Sequence, residues 1–231
     1  MESIKILRLG LRNYQEVWDL QTQIHQALIQ NRNNEQHFDC MHTLILCQHP
    51  HVYTLGKSGT EGHLLADEKR LKDIDAQFYK INRGGDITYH GPGQLVAYPI
   101  LDLNRLFTDV HKYVRLLEES VIQTCSDYQV EAGRIKEYTG VWVDIHSAKP
   151  RKICAIGVHL SRWVSLHGLA FNVNTDLNYF DHIIPCGISS SEKSVTSLEK
   201  ETGKSLDIKQ IEDEFINHFI KLFDLNKIEI Q

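Results

Sequence analysis

The segment RKICAIGVHLSRWVSLHGLAFNVN, residues 151–174, contains two apolar runs, KICAIGVHL and LAFNVN. β-Branched and small residues in such runs are typical of β-strands. Similar runs occur elsewhere in the chain at TLILC, VYTL, FYKIN, QLVAYPI and GVWVDI. Several of them follow one another without a helix between each pair. This order predicts a mixed or antiparallel α+β sheet rather than a doubly wound parallel sheet.

Three further segments have the apolar period of amphipathic helices. They cover residues 13–30, 108–125 and 207–223, with Asn13 and Asp207 as capping residues. The stretches SSSEKSVTS and KETGKS, which precede the last helix, are predicted to be exposed loops. No linker divides the 231 residues, so we expect one α/β domain over residues 1–231.

Charge and cysteine content restrict the class of protein. The chain has 25 basic and 30 acidic residues, a net charge of −5, which predicts no nucleic-acid partner and no attraction to a membrane. The start MESIKILRLGL does not resemble a signal peptide, and no run of apolar residues is long enough to span a bilayer. Five scattered cysteines, an odd number, favour reduced thiols and a cytoplasmic location.

Two stretches look like ligand motifs, one for zinc and one for phosphate, but neither has the required spacing. Six potential zinc ligands lie between residues 37 and 51, but the predicted strand TLILC, about 17 Å long, separates them. We therefore predict no metal site. The tripeptide GKS occurs at 56–58 and 203–205, in both places without the earlier glycine of a phosphate-binding loop.

The stretch NRGGDITYHGPGQLVAYPI, residues 82–100, combines two glycine turns with a short polar strand. Gly84 and Gly85 let a ligand approach the backbone closely, while Arg83 and His90 offer polar anchors. The stretch is typical of a pocket wall and equally of a hairpin with glycine-rich ends.

Two residues in other segments are candidates for chemistry. Lys152 begins an apolar strand, either as an edge residue that reaches solvent or as a partly desolvated amine suited to acid–base work. Cys186 lies in IIPCGISS, residues 183–190, where it is either a small buried residue or a reactive thiol. The residues alone leave both alternatives open.

Four motifs taken together resemble the octanoyltransferases of the LipB type. They are RGGDITYHGPGQLVAYPI, KICAIGVH, HGLAFNVNTDL, and PCGI followed by VTSL. The resemblance extends over residues 48–198 in the family's order and spacing, and it implies a fold like that of the biotin and lipoate protein ligases.

The resemblance also implies roles for individual residues. Cys186 matches the nucleophile that carries the acyl group as a thioester, and Lys152 matches the lysine that lowers the pKa of that cysteine and moves protons. The implied acyl-binding residues are Arg83, Gly84, Gly85, Asp86, Ile87, Thr88, Tyr89, His90, Ala155, Ile156, Gly157, Gly168, Leu169 and Ala170. No cofactor is implied.

The implied reaction moves an octanoyl group from acyl carrier protein to a lysine of a lipoyl domain, without ATP. The implied acceptors are the lipoyl domains of 2-oxoacid dehydrogenase complexes and the glycine cleavage H protein. We expect a monomer with a local basic patch for the acidic carrier, formed by Lys149, Arg151 and Arg162. The alternatives are an ATP-dependent lipoate or biotin ligase on the same fold, and a non-catalytic acyl-binding module.

Overall fold

The computed structural model describes residues 2–31, 41–184 and 194–228. Within them the helices are α1 (Tyr14–Gln30), α2 (Glu68–Asp73), α3 (Val110–Asp127), α4 (Leu198–Thr202) and α5 (Ile208–Leu222). The strands are β1 (Glu2–Leu11), β2 (His42–Gln48), β3 (Val52–Leu55), β4 (Gln77–Lys80), β5 (Ile87–His90), β6 (Gln94–Ile100), β7 (Ala132–Ile135), β8 (Tyr138–Val143), β9 (Arg151–Ser161), β10 (Val164–Asn172), β11 (Ser194–Val195) and β12 (Leu225–Ile228).

The larger sheet is mixed, as the strand order in the sequence predicts. Its described strands follow the order β12-β1-β2-β6-β10-β9-β8-β7, and β11 pairs with the start of β9. The pairs β12–β1, β1–β2 and β11–β9 are parallel, and the remaining neighbours are antiparallel. Hairpins connect β7 to β8 and β9 to β10, so no crossover helix is needed there.

Helices cover both faces of this sheet, because its central strands are apolar on both sides. Leu44 and Leu46 of β2 pack in the cluster that contains the buried faces of α3 and α5. Ile45 and Cys47, which alternate with them, pack with α1 on the opposite face. The continuous apolar runs of β2 and β6 in the sequence are the consequence of this two-sided burial.

A second sheet of three strands, β4-β3-β5, lies beside the first. β3 pairs with β4 in parallel and with β5 in antiparallel orientation. Tyr53, Ile87, Tyr89 and Ile183 form the centre of its own apolar cluster. The turn at residues 91–93 joins β5 directly to β6, and the small sheet is thereby tied to the middle of the large one.

The three predicted helices are confirmed as α1, α3 and α5. Asn13 and Asp207 cap α1 and α5 as expected, since their side chains accept hydrogen bonds from the N–H groups of Gln15 and Lys209, each at 2.9 Å. Each of the quoted strand-like runs also coincides with a strand. The sequence patterns predict no helix or strand at β1, β7, β11, β12, α2 or α4.

The prediction of exposed loops before the last helix is confirmed for residues 203–205 and is wrong for residues 196 and 197, which are buried, and for residues 200–202, which belong to α4. Thr196 and Ser197 are buried, and α4 begins at Leu198. The N–H of Thr196 donates to Lys152 O at 2.9 Å, and Asn172 Nδ2 donates to Thr196 O at 3.0 Å. Tertiary contacts therefore bury a segment whose polar composition is that of a loop. Residues 189–193 lie outside the described part of the chain.

Across residues 2–31, 41–184 and 194–228, no helix has both the length and the apolar character needed to cross a bilayer.

The aromatic cluster on α5 provides a test of the core. The ring of Phe219 is fully buried and stacks on Phe223, with centroids 4.4 Å apart. Truncation of Phe219 to alanine removes this contact and leaves a cavity, so we expect a loss of about 3–5 kcal/mol in the free energy of unfolding. Urea denaturation measures this free energy of unfolding.

The matched variant Asn217→Ala, exposed on the same helix, should change the free energy of unfolding by less than about 0.5 kcal/mol. Equal effects of the two substitutions would contradict the packing described.

Candidate active site

A pocket of about 360 Å³ lies where β5, β6, β9 and β10 come together. The structure brings most of the acyl-binding residues implied by the resemblance into its wall, together with Lys152. These residues are Arg83, Gly85, Asp86, Ile87, Thr88, His90, Ala155, Ile156, Gly157, Gly168, Leu169 and Ala170. Three segments that are far apart in the sequence therefore share one cavity.

Gly84 and Tyr89 lie beside the pocket and not in its wall. The N–H of Gly84 donates to Val158 O of β9 at 2.9 Å, which fastens the glycine turn to the large sheet. Tyr89 points into the aromatic cluster of the small sheet, where its ring stacks on that of Tyr179 at 5.0 Å. The alternation of side chains along β5 sends Tyr89 to the opposite face from Thr88 and His90.

The pocket has room because two glycines allow close backbone approach. A Cβ added at Gly157 would lie 2.8 Å from Gly84 O and 3.0 Å from Arg83 Cδ. A Cβ at Gly168 would lie only 2.0 Å from Ala97 O on β6. Any side chain at these positions would push the glycine turn or β6 away from the strands that form the floor of the pocket.

Arg83 is a buried cation that holds the wall together. Its Nη2 donates to Thr54 O at 2.6 Å and to Thr54 Oγ1 at 3.1 Å, and its Nη1 donates to Gly84 O at 3.0 Å. These bonds link β3 of the small sheet to the glycine turn. The side chain predicted as a polar anchor therefore has a structural role as well as a place in the pocket wall.

A chain of buried hydrogen bonds runs from His90 towards Lys152. His90 Nδ1 is 2.9 Å from Gln94 Oε1, and Gln94 Nε2 donates to Asn172 Oδ1 at 2.9 Å. Asn172 in turn donates to Thr196 O, and the N–H of Thr196 donates to Lys152 O. The polar side of the pocket is thus tied to the backbone that carries Lys152.

Two histidines of the pocket are held neutral by burial. Desolvation lowers the pKa of both His90 and His167 to about 3, with smaller contributions from neighbouring groups that include Arg83. His167 has φ +61°, a left-handed conformation that is uncommon for a side chain of this size. Its Nε2 is 2.7 Å from Asn82 Oδ1, and its Nδ1 has no hydrogen-bond partner among the described residues.

Lys152 occupies the edge of the pocket, half-buried on β9. It lies opposite Trp142 of β8, and its Nζ is 4.6 Å from the centroid of the indole. On the other edge of β9 it pairs with Val195 of β11, which also lines the pocket. The predicted location of this lysine on a strand beside small and apolar residues is confirmed.

Cys186 lies outside the described residues. The neighbouring described segments are anchored close to elements of the site. The N–H of Ile184 donates to His63 O at 2.8 Å, and Ser194 and Val195 pair with Arg151 and Lys152. Cys47, Cys125 and Cys154 are free and buried, and desolvation raises the pKa of each thiol.

Sequence reasoning missed several residues of the pocket wall. They are Tyr14, Gln94, Tyr98, Glu137, Tyr138, Thr139, His167, Asn172, Phe180 and Val195. Gln94, His167 and Asn172 could have been found, since they are polar residues inside otherwise apolar strands next to the predicted segments. Tyr14 and Phe180 carry no such signal, because they reach the pocket from a helix and a 3-10 turn elsewhere in the chain.

Within the described part of the chain, no group of three or more histidine, cysteine, aspartate or glutamate side chains is arranged to bind a metal ion. His37 and Cys40, two of the six apparent zinc ligands, lie outside that part. The length of β2 separates His42 from His49, as predicted from the strand pattern of TLILC.

Comparison with known proteins identifies the family of this chain. The family model for the lipoyl protein ligase A/B catalytic domain matches residues 13–220. A curated octanoyltransferase from Christiangramia forsetii is 51% identical over 227 residues, 96% of either chain. One from Cytophaga hutchinsonii is 48% identical over 232 residues, 97% of this chain and 94% of its own.

A solved structure of similar shape belongs to a bi-partite lipoate protein ligase from Thermoplasma acidophilum. It has a TM-score of 0.70 at 17% sequence identity and covers 100% of this chain and 88% of its own. Identity this low supports a statement about the fold alone. The expected ligase-like α/β fold is confirmed.

The neutral histidines predict a dependence of stability on pH. Between the unfolded pKa of about 6.5 and the folded value of about 3, the unfolded chain binds the additional proton, so stability decreases as pH falls. In this window, His167→Asn should reduce the slope of unfolding free energy against pH by about 1.4 kcal/mol per unit. Asparagine also tolerates the left-handed backbone at this position.

Urea denaturation from pH 6.5 to 4 measures the slope, with His111→Asn at an exposed position as control. A slope unchanged by His167→Asn would show that this ring is protonated in the folded state.

Proposed function

This chain belongs to the lipoyl protein ligase A/B catalytic family and transfers octanoyl groups in protein lipoylation, and we propose that it does so through a thioester on Cys186. The observation that carries the proposal is the place of Lys152. Its side chain lies at the edge of a pocket with an apolar floor, on the strand that pairs with β11.

The pocket suits a flexible acyl chain. Its volume of about 360 Å³ falls in the usual range for small-ligand sites. Ala155, Ile156, Leu169 and Ala170 present small or apolar surface from two adjacent strands, while the glycines admit the chain close to the backbone. We propose that the octanoyl group lies along β9 and β10.

In the first proposed step, the thiolate of Cys186 attacks the thioester carbonyl of the donor. A tetrahedral intermediate forms and collapses to an acyl-enzyme, and the donor thiol leaves. Lys152 as ammonium stabilises the attacking thiolate and gives its proton to the departing sulfur. One thioester replaces another, so this step requires no ATP.

In the second proposed step, a lysine amine of the acceptor attacks the acyl-enzyme. The C–N bond forms, the C–S bond breaks, and an amide replaces the thioester. Lys152, now a neutral amine, accepts the proton that the attacking amine loses. The same side chain therefore acts as acid and as base, and the enzyme returns to its starting protonation state.

Lipoyl domains are the acceptors in this reaction, and we propose those of 2-oxoacid dehydrogenase complexes and the glycine cleavage H protein. We further propose octanoyl-acyl carrier protein as the donor. The proposal includes a monomer that works in the cytoplasm, where a free thiol stays reduced.

The basic patch expected from Lys149, Arg151 and Arg162 is revised at Arg151. Arg151 donates through Nε to Asp144 at 2.6 Å and through Nη2 to Glu201 at 3.0 Å, so its charge serves the fold. Arg162 lies in the turn between β9 and β10 with φ +51°. Lys149, exposed at the start of the β9 segment, is the remaining candidate near Lys152 for contact with an acidic carrier.

A mass measurement tests the thioester. Incubation with octanoyl-acyl carrier protein without ATP should add one octanoyl group to the protein, and Cys186→Ala should abolish the adduct. Cys125→Ala, which alters a buried cysteine outside the pocket, should retain it. An adduct of undiminished yield in folded Cys186→Ala would refute the proposed nucleophile. An absolute requirement for ATP would instead favour a ligase, and no transfer under either condition would favour a non-catalytic acyl-binding module.

The proposed pairing of Lys152 with Cys186 predicts that the reactivity of the Cys186 thiol depends on pH. In Lys152→Ala, Cys186 should react with iodoacetamide at least about tenfold more slowly at pH 7, because the ammonium that favours its thiolate is gone. The rate should recover above pH 9. Peptide mass analysis follows Cys186 separately from the buried cysteines, and Lys149→Ala serves as the matched control for loss of a nearby positive charge. Equal rates for Lys152→Ala and the unaltered protein at pH 7 would contradict the proposed pair.

A further inference from the structure

Trp142 is in direct contact with the amine of Lys152. The two residues lie opposite each other on β8 and β9, and Nζ is 4.6 Å from the indole centroid. Trp142 is buried, with only 3% of the residue exposed. At this distance the face of an indole attracts an ammonium group electrostatically, and it has no comparable attraction for a neutral amine.

The indole itself is held in a fixed orientation. Its N–H donates to Tyr138 O at 3.3 Å, and the ring of Tyr138 packs edge-on at 6.1 Å. A shift in register between Val141 and Trp142 marks an irregularity of β8 at this point. The ring is therefore part of a rigid wall, with its face presented to Lys152.

A buried carboxylate fixes the strand beneath this contact. Glu118 Oε1 accepts the N–H of Gly140 at 3.0 Å, while Oε2 accepts from Arg115 at 2.8 Å and Arg134 at 2.9 Å. A Cβ added at Gly140, where φ is +123°, would lie 2.6 Å from Cys154 O and 3.5 Å from Lys152 Cε. β8 thus packs closely against the backbone of β9 at Cys154 and against the aliphatic chain of Lys152.

From this arrangement we infer that Trp142 is a positioning residue for Lys152. Its indole holds the lysine side chain at the pocket edge and favours the ammonium form of the amine. The inference rests on the proposed role of Lys152. An ammonium is the form that stabilises the thiolate of Cys186 and protonates the donor sulfur. Trp142 therefore favours the first step of the reaction and sets the pH above which Lys152 loses its proton.

Substitution of Trp142 leaves the other charged and titratable residues near Lys152 unaltered. Glu137 and Tyr138 line the pocket with Lys152, Arg151 and Cys154 belong to the same strand, and Glu118 of α3 accepts from Gly140 of β8. The residues of β11 that pair with this end of β9, Ser194 and Val195, carry no charge. A change in pH dependence after substitution at 142 alone is therefore assigned to the ring.

The test compares Trp142→Leu with Trp142→Phe. The measured quantity is kcat/KM for octanoyl transfer from octanoyl-acyl carrier protein to a lipoyl domain, between pH 6 and 10. In Trp142→Leu the alkaline limb should move to lower pH by about 0.5–1.5 units, because a desolvated cation–π contact of ordinary strength is lost. The acylation rate at pH 7 should fall severalfold with KM within about twofold. Trp142→Phe should restore most of both.

Matched variants separate the ring effect from other causes. Trp163→Leu removes an exposed tryptophan from the β9–β10 turn and should leave the profile unchanged. If Trp142→Leu does not fold, a ring-fluorinated tryptophan at 142 keeps the shape and weakens the attraction of the ring face for cations, and the same shift is expected.

Three outcomes of these measurements decide between the inference about Trp142 and its alternatives. A shifted limb that phenylalanine restores supports the inference. An unshifted limb in folded Trp142→Leu, or in the fluorinated protein, overturns it while leaving the proposed function intact, provided that Lys152→Ala is inactive in the same assay. Full activity of Lys152→Ala would overturn the proposed function, and the inference would fall with it.

Discussion

The pairing of β9 with β10 is the constraint on which the site depends. Register places Ala155 opposite Ala170 and Gly157 opposite Gly168, so the motifs KICAIGVH and HGLAFNVNTDL form one continuous surface. The motif that begins at Arg83 reaches this surface because the N–H of Gly84 donates to Val158 O of β9. A shift of one residue in the register of β9 against β10 would turn the small residues away from the pocket and place larger neighbours in the wall.

Burial then determines the electrostatics of the cavity. His90 and His167 are neutral because desolvation opposes a second proton, and the nearby guanidinium of Arg83 adds to that effect. The neutral imidazoles and the apolar side chains of Ile156 and Leu169 offer surface that suits an acyl chain, while the charge of Arg83 is engaged by hydrogen bonds to Thr54 and Gly84. Lys152 lies at the rim of this interior, in contact with an indole face that favours its ammonium form. The pocket thus combines an apolar surface with a lysine amine at its edge.

Strong local patterns made much of the fold predictable. Helices α1, α3 and α5 have an apolar face that repeats with the helical period, and β2, β6 and β9 are apolar runs of strand length. β12 and α4 are short, and the pairing partners that stabilise them are remote in sequence. The polar composition around Thr196 and Ser197 predicts an exposed loop, yet both residues are buried, and Thr196 is hydrogen-bonded to Lys152 and Asn172. Such contacts leave no trace in local composition.

The sequence by itself determined the class of fold, because apolar periods and strand-length apolar runs reflect local backbone and solvation requirements. Residue chemistry left two interpretations each for the glycine-rich stretch and for Lys152, and the resemblance to the LipB-type octanoyltransferases is what favoured the pocket wall and the catalytic amine. Only the tertiary structure decided that Tyr89 faces away from the pocket, that Arg151 is engaged in ion pairs, and that Trp142 covers the amine of Lys152. Those outcomes depend on strand register and on packing between segments distant in sequence, which are energies of the whole fold and not of any one stretch.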